Sequence, residues 1–222
     1  MTSAPIVRLV GLSKAYPSLT GPSIVLADVD LTIHIGEKVS LVGPSGSGKS
    51  TLLSLIAGLL RPDKGSVQID GISLSDLDDA DRAHLRAHRI GIALQSDNLI
   101  PFLSARENVQ LAMGFATNRK TTNTRADALL DQMGVAHRRN HLPRQLSGGE
   151  AQRVSLGVAL ANKPALLLAD EMVAQLDSAT AAQVTSEVFA ADMAVLFVTH
   201  DFELADQAER SYALEDHKLV ER

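Results

Sequence analysis

A glycine-rich run near the start of the chain has residue types that could bind phosphate. Residues 43–50 read Gly-Pro-Ser-Gly-Ser-Gly-Lys-Ser, which matches G-x-x-x-x-G-K-[S/T]. The backbone N–H groups of such a loop turn toward phosphate oxygens, and the following helix adds a partial positive charge. Lys49 should reach the β- and γ-phosphates, and the Ser50 hydroxyl should bind Mg²⁺. The residues expected to contact a nucleotide here are Gly43, Pro44, Ser45, Gly46, Ser47, Gly48, Lys49, Ser50 and Thr51.

This loop by itself predicts a phosphate-binding NTPase, and it does not choose among GTPases, kinases and ATPases. A second run, Leu146-Ser147-Gly148-Gly149-Glu150 with Gln152 and Arg153 after it, begins an apolar helix. A Ser hydroxyl and two glycine N–H groups at a helix start can bind an anion. Ser-Gly-Gly alone would be better explained as an ordinary helix N-cap. The complete run is more specific, because it lies between the phosphate loop and a later apolar strand.

The two runs together resemble the nucleotide-binding domains of ABC transporters, from about Ile6 to the end of the chain. The resemblance implies ATP and Mg²⁺ as ligands. The apolar strand Ala165–Ala169, followed by Asp170 and Glu171, is similar to the family's Walker B strand. That similarity implies Asp170 as a magnesium ligand, acting through water, and Glu171 as the general base for the attacking water.

Four further positions are assigned by the resemblance alone. Gln95 matches the Q-loop, which links Mg²⁺ and the attacking water to the helical lobe, so it is expected among both the catalytic and the metal-binding residues. His200 matches the switch histidine that contacts the γ-phosphate. Asp177 matches the end of the D-loop at the dimer interface, and Tyr16 the aromatic residue that stacks on adenine. A structural role is the alternative for His200 and Tyr16.

The resemblance also implies a head-to-tail homodimer that traps two ATP molecules. Lys49, Ser50 and Glu171 of one chain would act on an ATP that the other chain contacts through Ser147, Gly148 and Gly149. A chain that carries two separate anion sites can satisfy both on one nucleotide by using a partner.

Three segments narrow the resemblance to one branch of the family. Residues 85–95, 98–101 and 107–109 are similar to the lipoprotein-releasing, macrolide-export and cell-division branch. Its partners are integral membrane permeases, and the residues after Gln95 would line the groove that receives a permease helix. We therefore expect an ATP-hydrolysing subunit of a membrane transport or mechanotransmission system, cytoplasmic and peripheral on the inner face of the cell membrane. A non-transport ABC ATPase and a weakly hydrolysing regulator are the alternatives.

The chain departs from the family pattern at three places. Met172-Val173 replaces the usual Pro-Thr after the two carboxylates, and Ala174-Gln175 stands where this branch commonly shows Gly-Asn. Asp216-His217 replaces Asp-Gly, and His at a left-handed turn position carries a cost. Because Asp170 and Glu171 are kept, hydrolysis should survive, whereas the coupling between two sites is put in question.

The expected fold class is α/β: a P-loop NTPase with a RecA-like mixed sheet core, an N-terminal antiparallel β subdomain and an inserted α-helical subdomain. Residues 1–222 would form one domain, with 1–94 and 162–222 as the β and RecA-like core and 95–161 as the helical subdomain. Periodicity predicts strands at 6–12, 23–33, 38–42, 66–69, 90–94, 165–169 and 194–199. It predicts helices at 50–60, 80–88, 104–113, 126–133 and 150–161, and Ser104 with Glu107 indicates a capping box.

Composition excludes several other classes of protein. The 222 residues carry a net charge of −5 and no cysteine, which argues against a nucleic-acid surface and excludes disulfides and thiol metal sites. No apolar stretch is long enough for a membrane span and the N-terminus lacks a signal-peptide pattern, so we expect no direct membrane insertion. The pairs His84/His88 and His137/His141 have the i, i+4 spacing of a metal site, but solvated histidines explain them better.

Overall fold

A computed structural model describes residues 5–18, 21–93, 99–114 and 119–222, without the side chains of 119–121. The strands are β1 (Pro5–Tyr16), β2 (Ser23–His34), β3 (Lys38–Val42), β4 (Lys64–Ile69), β5 (Ile72–Ser73), β6 (Ile90–Ala93), β7 (Leu166–Asp170), β8 (Ala194–Val198), β9 (Arg210–Glu215) and β10 (Lys218–Glu221). Seven of the strands lie close to the positions that the periodicity predicts, and β5, β9 and β10 were not predicted.

The helices alternate with the later strands. They are α1 (Lys49–Ile56), α2 (Asp79–Arg89), α3 (Ala105–Ala112), α4 (Arg119–Gln132), α5 (Gly148–Leu160), α6 (Ser178–Ala190) and α7 (Phe202–Ala205). Short 3₁₀ turns lie at Leu74–Asp76, Ala136–Arg138 and Pro143–Gln145. No helix among the described residues is long and apolar enough to cross a membrane.

Within the described ranges, the strands form two sheets. The first is antiparallel, in the order β2-β1-β4-β5. The second is mixed, in the order β10-β9-β3-β8-β7-β6, with parallel neighbours from β9 to β6 and β10 antiparallel at the edge. This topology confirms the predicted antiparallel N-terminal sheet and mixed core sheet. It also brings the carboxyl ends of β3, β7 and β8 to one edge of the sheet.

The central strands of the mixed sheet are buried throughout, as their continuous apolar runs predicted. Every residue of β3, β7 and β8 is buried. Parallel strands that are covered on both faces have no solvent side, which is why these runs do not alternate. The site at the end of these strands is therefore built on a buried layer of the sheet.

One predicted strand face is wrong. The alternation in residues 23–33 placed Val25, Ala27, Val29, Leu31 and Ile33 on one buried face. The structure buries Val29, Leu31 and Ile33, but it buries Leu26 in place of Ala27. Asp28 has a left-handed φ of 54°, and the register of β1 with β2 shifts beside it. An irregularity of this kind moves the preceding residues to the opposite face of the sheet.

The predicted helices are present, but they begin or end at somewhat different residues. The predicted capping box is confirmed, because Ser104 accepts from the N–H of Glu107 and Glu107 accepts from the N–H of Ser104. The helix predicted for 50–60 ends at Ile56 instead, and the chain turns at Gly58 with a φ of 66°. Glycine supplies this left-handed conformation without a side-chain clash, so it ends the helix before Pro62 does.

Two large apolar clusters stabilise these layers. One joins the antiparallel sheet and α1 to one face of the mixed sheet and includes Leu41, Leu53 and Leu168. The other joins α3, α4, α5 and α6 to the opposite face and includes Val109, Leu167 and Phe197. The division of the chain into a core and a helical subdomain at 95–161 stays a prediction.

Candidate nucleotide site

The phosphate loop connects β3 to α1 and is shaped by its glycines. Gly48 has a φ of 111°, and a Cβ atom placed there would lie 2.6 Å from Cγ1 of Val25. Glycine is required at this position both for the backbone conformation and for the close approach of β2. Pro44, Ser45 and Gly46 are exposed, whereas Gly43 and Ser47 are half-buried. Thr51 is half-buried in the first turn of α1.

The ammonium group of Lys49 lies against this loop and uses two of its three donors there. Its Nζ atom donates to the carbonyl oxygens of Gly43 at 2.7 Å and Pro44 at 2.8 Å. Burial lowers the pKa of Lys49, and the nearby carboxylates of Asp170 and Glu171 offset part of that effect. The ammonium group is thus held at the mouth of the loop, where an anion would be favoured.

Ser50 and Asp170 bring the start of α1 to the end of β7. The Ser50 hydroxyl donates to Oδ2 of Asp170 at 2.8 Å, and Asp170 is buried. The two predicted metal ligands are therefore adjacent, although 120 residues separate them in the chain. Gln95, the third predicted metal ligand, lies outside the described residues.

Glu171 follows Asp170 in an unusual backbone conformation. Its φ is 56°, its side chain is about 10% exposed, and its Oε1 atom lies 3.5 Å from Nε2 of His200. That Oε1 atom is buried and makes no hydrogen bond within the described part of the chain. Burial raises the pKa of the Glu171 carboxyl, as does Asp170, while His200 and Lys49 act in the opposite direction. The carboxylate is thus poised as a base with one oxygen available.

His200 reaches Glu171 from the end of β8. Its side chain is about half exposed, so it faces both the carboxylate and the surface. The structure therefore brings together Lys49, Ser50, Asp170, Glu171 and His200, all of which were named from the sequence. Two clefts flank the phosphate loop. One, of about 430 Å³, is lined by residues that include Gly43, Pro44 and His200, and the other, of about 540 Å³, by residues that include Ser23, Val25, Gly46 and Ser47.

The second motif begins α5. Ser147 is its N-cap and accepts from the N–H of Glu150, while Glu150 accepts from the N–H of Ser147. These bonds and a 2.7 Å bond from Arg138 lower the pKa of Glu150 to about 2. The N-cap that Ser-Gly-Gly alone would suggest is therefore present. Ser147 and Gly148 are also exposed, which leaves them open to a second molecule.

Comparison with known proteins identifies the class to which this site belongs. The family model described as ABC transporter matches residues 26–174. The lipoprotein-releasing system ATP-binding protein LolD 2 of Caulobacter vibrioides is 42% identical over 98% of this chain and 97% of its own length. The macrolide export ATP-binding/permease protein MacB 2 of Aeromonas hydrophila is 40% identical over 99% of this chain and 34% of its own length. The chain belongs to the ABC transporter family.

A solved structure supports the same assignment and the fold. The dimeric post-hydrolysis state of the ATP-binding cassette MJ0796, bound to ADP and Pi, matches 97% of this chain with a TM-score of 0.93 and 38% identity. The predicted fold class is thereby confirmed. The chain is an ATP-binding, ATP-hydrolysing domain of the ABC type, as the sequence predicted.

Two predicted residues of the ABC domain lie at the edges of the site. Asp177 is the N-cap of α6, where it accepts from the N–H of Thr180 at 3.1 Å and from its hydroxyl at 2.7 Å. Tyr16 ends β1, is 38% exposed and pairs with Ser23, which lines the larger cleft. Lys14 Nζ lies 5.7 Å from the centroid of the Tyr16 ring. The tyrosine is therefore partly exposed and pairs with a residue that lines the larger cleft.

One departure of the ABC domain from its family pattern, Met172-Val173, packs into the core. Met172 is 2% exposed in the cluster that contains α5 and α6, and Val173 and Leu176 pack against the same cluster. The apolar pair that replaces Pro-Thr therefore anchors the segment after Glu171. Asp216 and His217 have φ values of 43° and 69°, which confirms the predicted left-handed turn.

Sequence reasoning missed one contact in the ABC domain. Gln152 was quoted as part of the second motif without a role, yet its side chain donates to the carbonyl oxygen of Glu171. Its Oε1 atom also accepts from the N–H of Gln175 at 3.2 Å. No signal in the local sequence marks these bonds, since they join residues about twenty positions apart.

Proposed function

We propose that the chain is the ATP-hydrolysing subunit of a membrane ABC transport or mechanotransmission system, acting as a head-to-tail homodimer coupled to an integral membrane permease. The observation that carries this proposal is the buried Glu171 oxygen without a hydrogen-bond partner among the described residues, next to His200 and the Ser50–Asp170 pair. A free carboxylate oxygen at the mouth of a phosphate loop is suited to accept a proton from water.

The nucleotide would lie along the phosphate loop. The residues around its phosphates are Gly43, Pro44, Ser45, Gly46, Ser47, Gly48, Lys49, Ser50 and Thr51. A buried Ser47 Oγ without a hydrogen-bond partner in the described ranges supports an anion at this place. The base and ribose would enter the cleft lined by Ser23 and Val25, where Tyr16 would stack on the adenine.

Magnesium fits the residues beside this loop. The Ser50 hydroxyl and the Asp170 carboxylate bring two oxygen atoms within 2.8 Å of each other. Mg²⁺ prefers one or two protein oxygens together with phosphate oxygens and water. The described residues contain no cluster of three His, Cys, Asp or Glu side chains, and this small donor set agrees with that preference. When bound, the ion would neutralise phosphate charge, with Gln95 as a further ligand.

Glu171 would act as the general base. Its carboxylate would orient the attacking water and take its proton as the bond from the water oxygen to the γ-phosphorus forms. The bond from that phosphorus to the β–γ bridging oxygen would break, and ADP would leave. Burial raises the pKa of this carboxyl, which makes the proton transfer more favourable than it would be for an exposed glutamate. His200 would hold the γ-phosphate through its exposed ring, and Lys49 would stabilise the charge that develops on the leaving group.

A second copy of the chain would complete the site. Ser147, Gly148 and Gly149 lie at the start of α5, where a Cβ atom on Gly148 would meet Gln175 and one on Gly149 would meet Gln175 and Leu176 of the same chain. Ser147 and Gly148 are exposed there, and Asp177 lies just beyond Leu176. The cassette MJ0796 is dimeric in its ADP- and Pi-bound state, which supports the same arrangement for this chain.

A permease partner is supported by the relatives and by one exposed surface. LolD 2 is named as part of a lipoprotein-releasing system, and MacB 2, of which this chain spans about a third, is named as both ATP-binding and permease. Phe102 is 77% exposed in the segment between β6 and α3, where the permease helix is expected to dock. The domain would therefore sit on the cytoplasmic face of the cell membrane through that partner.

Steady-state ATP hydrolysis tests this proposal. Wild type and Glu171→Gln are compared, each alone and after co-purification with the permease encoded beside the chain's gene. We expect the permease to be retained by both proteins and hydrolysis to be lost only in the variant. Equal slow rates for both proteins with the permease bound would reject the ATPase engine in favour of a weakly hydrolysing regulator. Recovery with ribosomes or DNA instead of a membrane protein would reject the transport role.

A further inference from the structure

The segment from Glu171 to Gln175 is held by a side chain from the second motif. Gln152, in the second turn of α5, donates from Nε2 to the carbonyl oxygen of Glu171. Its Oε1 atom accepts from the N–H of Gln175 at 3.2 Å. One amide group thus contacts both ends of a five-residue segment that begins at the general base.

This contact falls on a backbone that needs support. Glu171 has a φ of 56°, and a non-glycine residue in that region carries a conformational cost. Such a conformation persists only when neighbouring groups over-determine it. The N–H of Glu171 donates to Val198 at 3.0 Å, and the N–H of Ala174 donates to the carbonyl of Glu171 at 3.2 Å. Gln152 adds a side-chain hydrogen bond to that carbonyl oxygen.

The same segment lies against the second motif itself. A Cβ atom at Gly148 would lie 2.5 Å from Oε1 of Gln175, and one at Gly149 would lie 2.9 Å from the carbonyl oxygen of Gln175. Gln175, which stands where this branch commonly has Asn, therefore lies close to both glycines. Buried Met172 anchors the middle of the segment in the core.

We propose that Gln152 is a positioning residue that holds the Glu171 backbone in its left-handed conformation and locks the segment 171–175 onto the start of α5. This inference rests on the proposed role of Glu171 as the base. In the proposed dimer, Glu171 serves one ATP and Ser147–Gly149 serve the other. Through one side chain, Gln152 therefore links the backbone that carries the Glu171 carboxylate of one site to the phosphate-contacting motif of the second site.

Two substitutions separate the parts of this contact. Gln152→Glu keeps the size of the side chain and the acceptor for Gln175, but it removes the donor to Glu171. Gln152→Met keeps the length, removes both bonds and adds no charge. Gln132→Glu, at an exposed residue that ends α4, is the matched control for the charge change. Thermal unfolding of each full-length variant shows whether it folds.

The readouts are kcat, KM for ATP, ATP affinity and the ATP-dependent dimer in gel filtration without added Mg²⁺. We expect both Gln152 variants to lower kcat by roughly 10- to 100-fold, as displacement of a reacting group does, with KM and ATP affinity within about twofold of wild type. Their dimers should persist with ATP, as that of Glu171→Gln should. In the Glu171→Gln background, Gln152→Met should cause no further loss, because it acts through Glu171.

Each contrary result has one meaning. Wild-type kcat in both Gln152 variants, beside an inactive Glu171→Gln, would overturn this inference and leave the proposed function intact. A parallel loss of ATP affinity or of the ATP-dependent dimer would also overturn it, since the residue would then act on binding. Equal rates for wild type and Glu171→Gln would overturn the proposed base and this inference together.

Discussion

The two ends of β3 both carry a buried lysine, and the two lysines are used differently. Lys38, at the amino end, donates to the carbonyl oxygens of Gly36 at 2.7 Å, Ala191 at 2.9 Å and Met193 at 2.8 Å. Lys49, beyond the carboxyl end, donates to two carbonyl oxygens of its own loop. An ammonium group has three donors, so the protein uses all of them at one end and two at the other.

The glutamates near the two lysines differ in the same way, since one is more fully hydrogen-bonded than the other. At the amino end, Glu37 accepts from the N–H of His34 at 2.7 Å and pairs with Arg210 at 3.1 Å, so its charge is fully compensated. At the carboxyl end, Glu171 keeps a buried oxygen without a hydrogen bond among the described residues. Burial lowers the pKa of both lysines, so burial alone does not distinguish them. Incomplete hydrogen bonding does distinguish the two ends, because it leaves polar groups that can bind a ligand.

The largest expected effect comes from the Glu171 carboxylate. Glu171→Gln should lower kcat by roughly 10³-fold, since it removes the proposed general base while keeping the shape of the side chain. ATP affinity should stay within about twofold of wild type. Steady-state kinetics and equilibrium binding of ATP measure the two quantities. A proportionate loss of affinity would show that Glu171 is a binding group, and the contrast between the two ends of β3 would fail.

The same substitution at both lysines tests the contrast directly. Lys38→Met should destabilise the protein by about 3 kcal/mol, because three buried or part-buried carbonyl oxygens lose their donor, and ATP affinity should not change. Lys49→Met should weaken ATP binding by roughly 10- to 100-fold, the value of a hydrogen bond from a charged group, with a smaller loss of stability. Urea unfolding measures the stability of both variants and ATP titration measures their affinity, so each variant is the control for the other. Weaker ATP binding in Lys38→Met, together with the larger loss of stability in Lys49→Met, would refute the comparison.

His200 should show an intermediate effect. His200→Ala removes a donor that faces the expected γ-phosphate, so kcat should fall by roughly 100-fold while the unfolding midpoint stays near that of wild type. His88→Ala, at an exposed histidine of α2, is the matched control and should leave kcat unchanged. Equal kcat values for the two variants would show that His200 has only a structural role.

The smallest expected effect is on the pH dependence. Burial raises the pKa of Glu171 above its ordinary value of 4.5, so the active carboxylate form is lost at a higher pH than for an exposed glutamate. The acidic limb of kcat should lie above pH 4.5 and disappear in Glu171→Gln. A limb at or below the ordinary value would show that Glu171 is not the titrating group.

The raised pKa of Glu171 favours the stability of the protein at low pH and lowers it at neutral pH. A carboxyl whose pKa is raised by folding contributes stability below its unfolded pKa, and that contribution is lost as the pH rises through the folded value. At neutral pH the buried charge therefore costs stability, and Glu171→Gln should raise the unfolding midpoint. Glu150, whose pKa is lowered to about 2, should lose its contribution only as the pH falls from 4.5 toward that value.

Contiguous motifs were readable from the sequence because local chemistry determines them. The loop at 43–50 needs glycines at fixed spacing, and the capping box at Ser104 needs one partner three residues away. The buried strands were readable because parallel strands covered on both faces lack polar residues. The face of β2 was not readable before Asp28, since the left-handed residue that breaks the alternation has no signal in the hydrophobic pattern.

The sequence by itself determined that this chain belongs among the ABC ATPases and which side chains could bind phosphate, hold a cation and accept a proton. Only the tertiary structure decided how these side chains are held. The Ser50–Asp170 contact spans 120 residues, and the bonds from Gln152 to Glu171 and Gln175 span 19 and 23. Such contacts depend on the packing of α5 and α6 against the mixed sheet. A local pattern records what a residue is, while packing sets which distant group it meets.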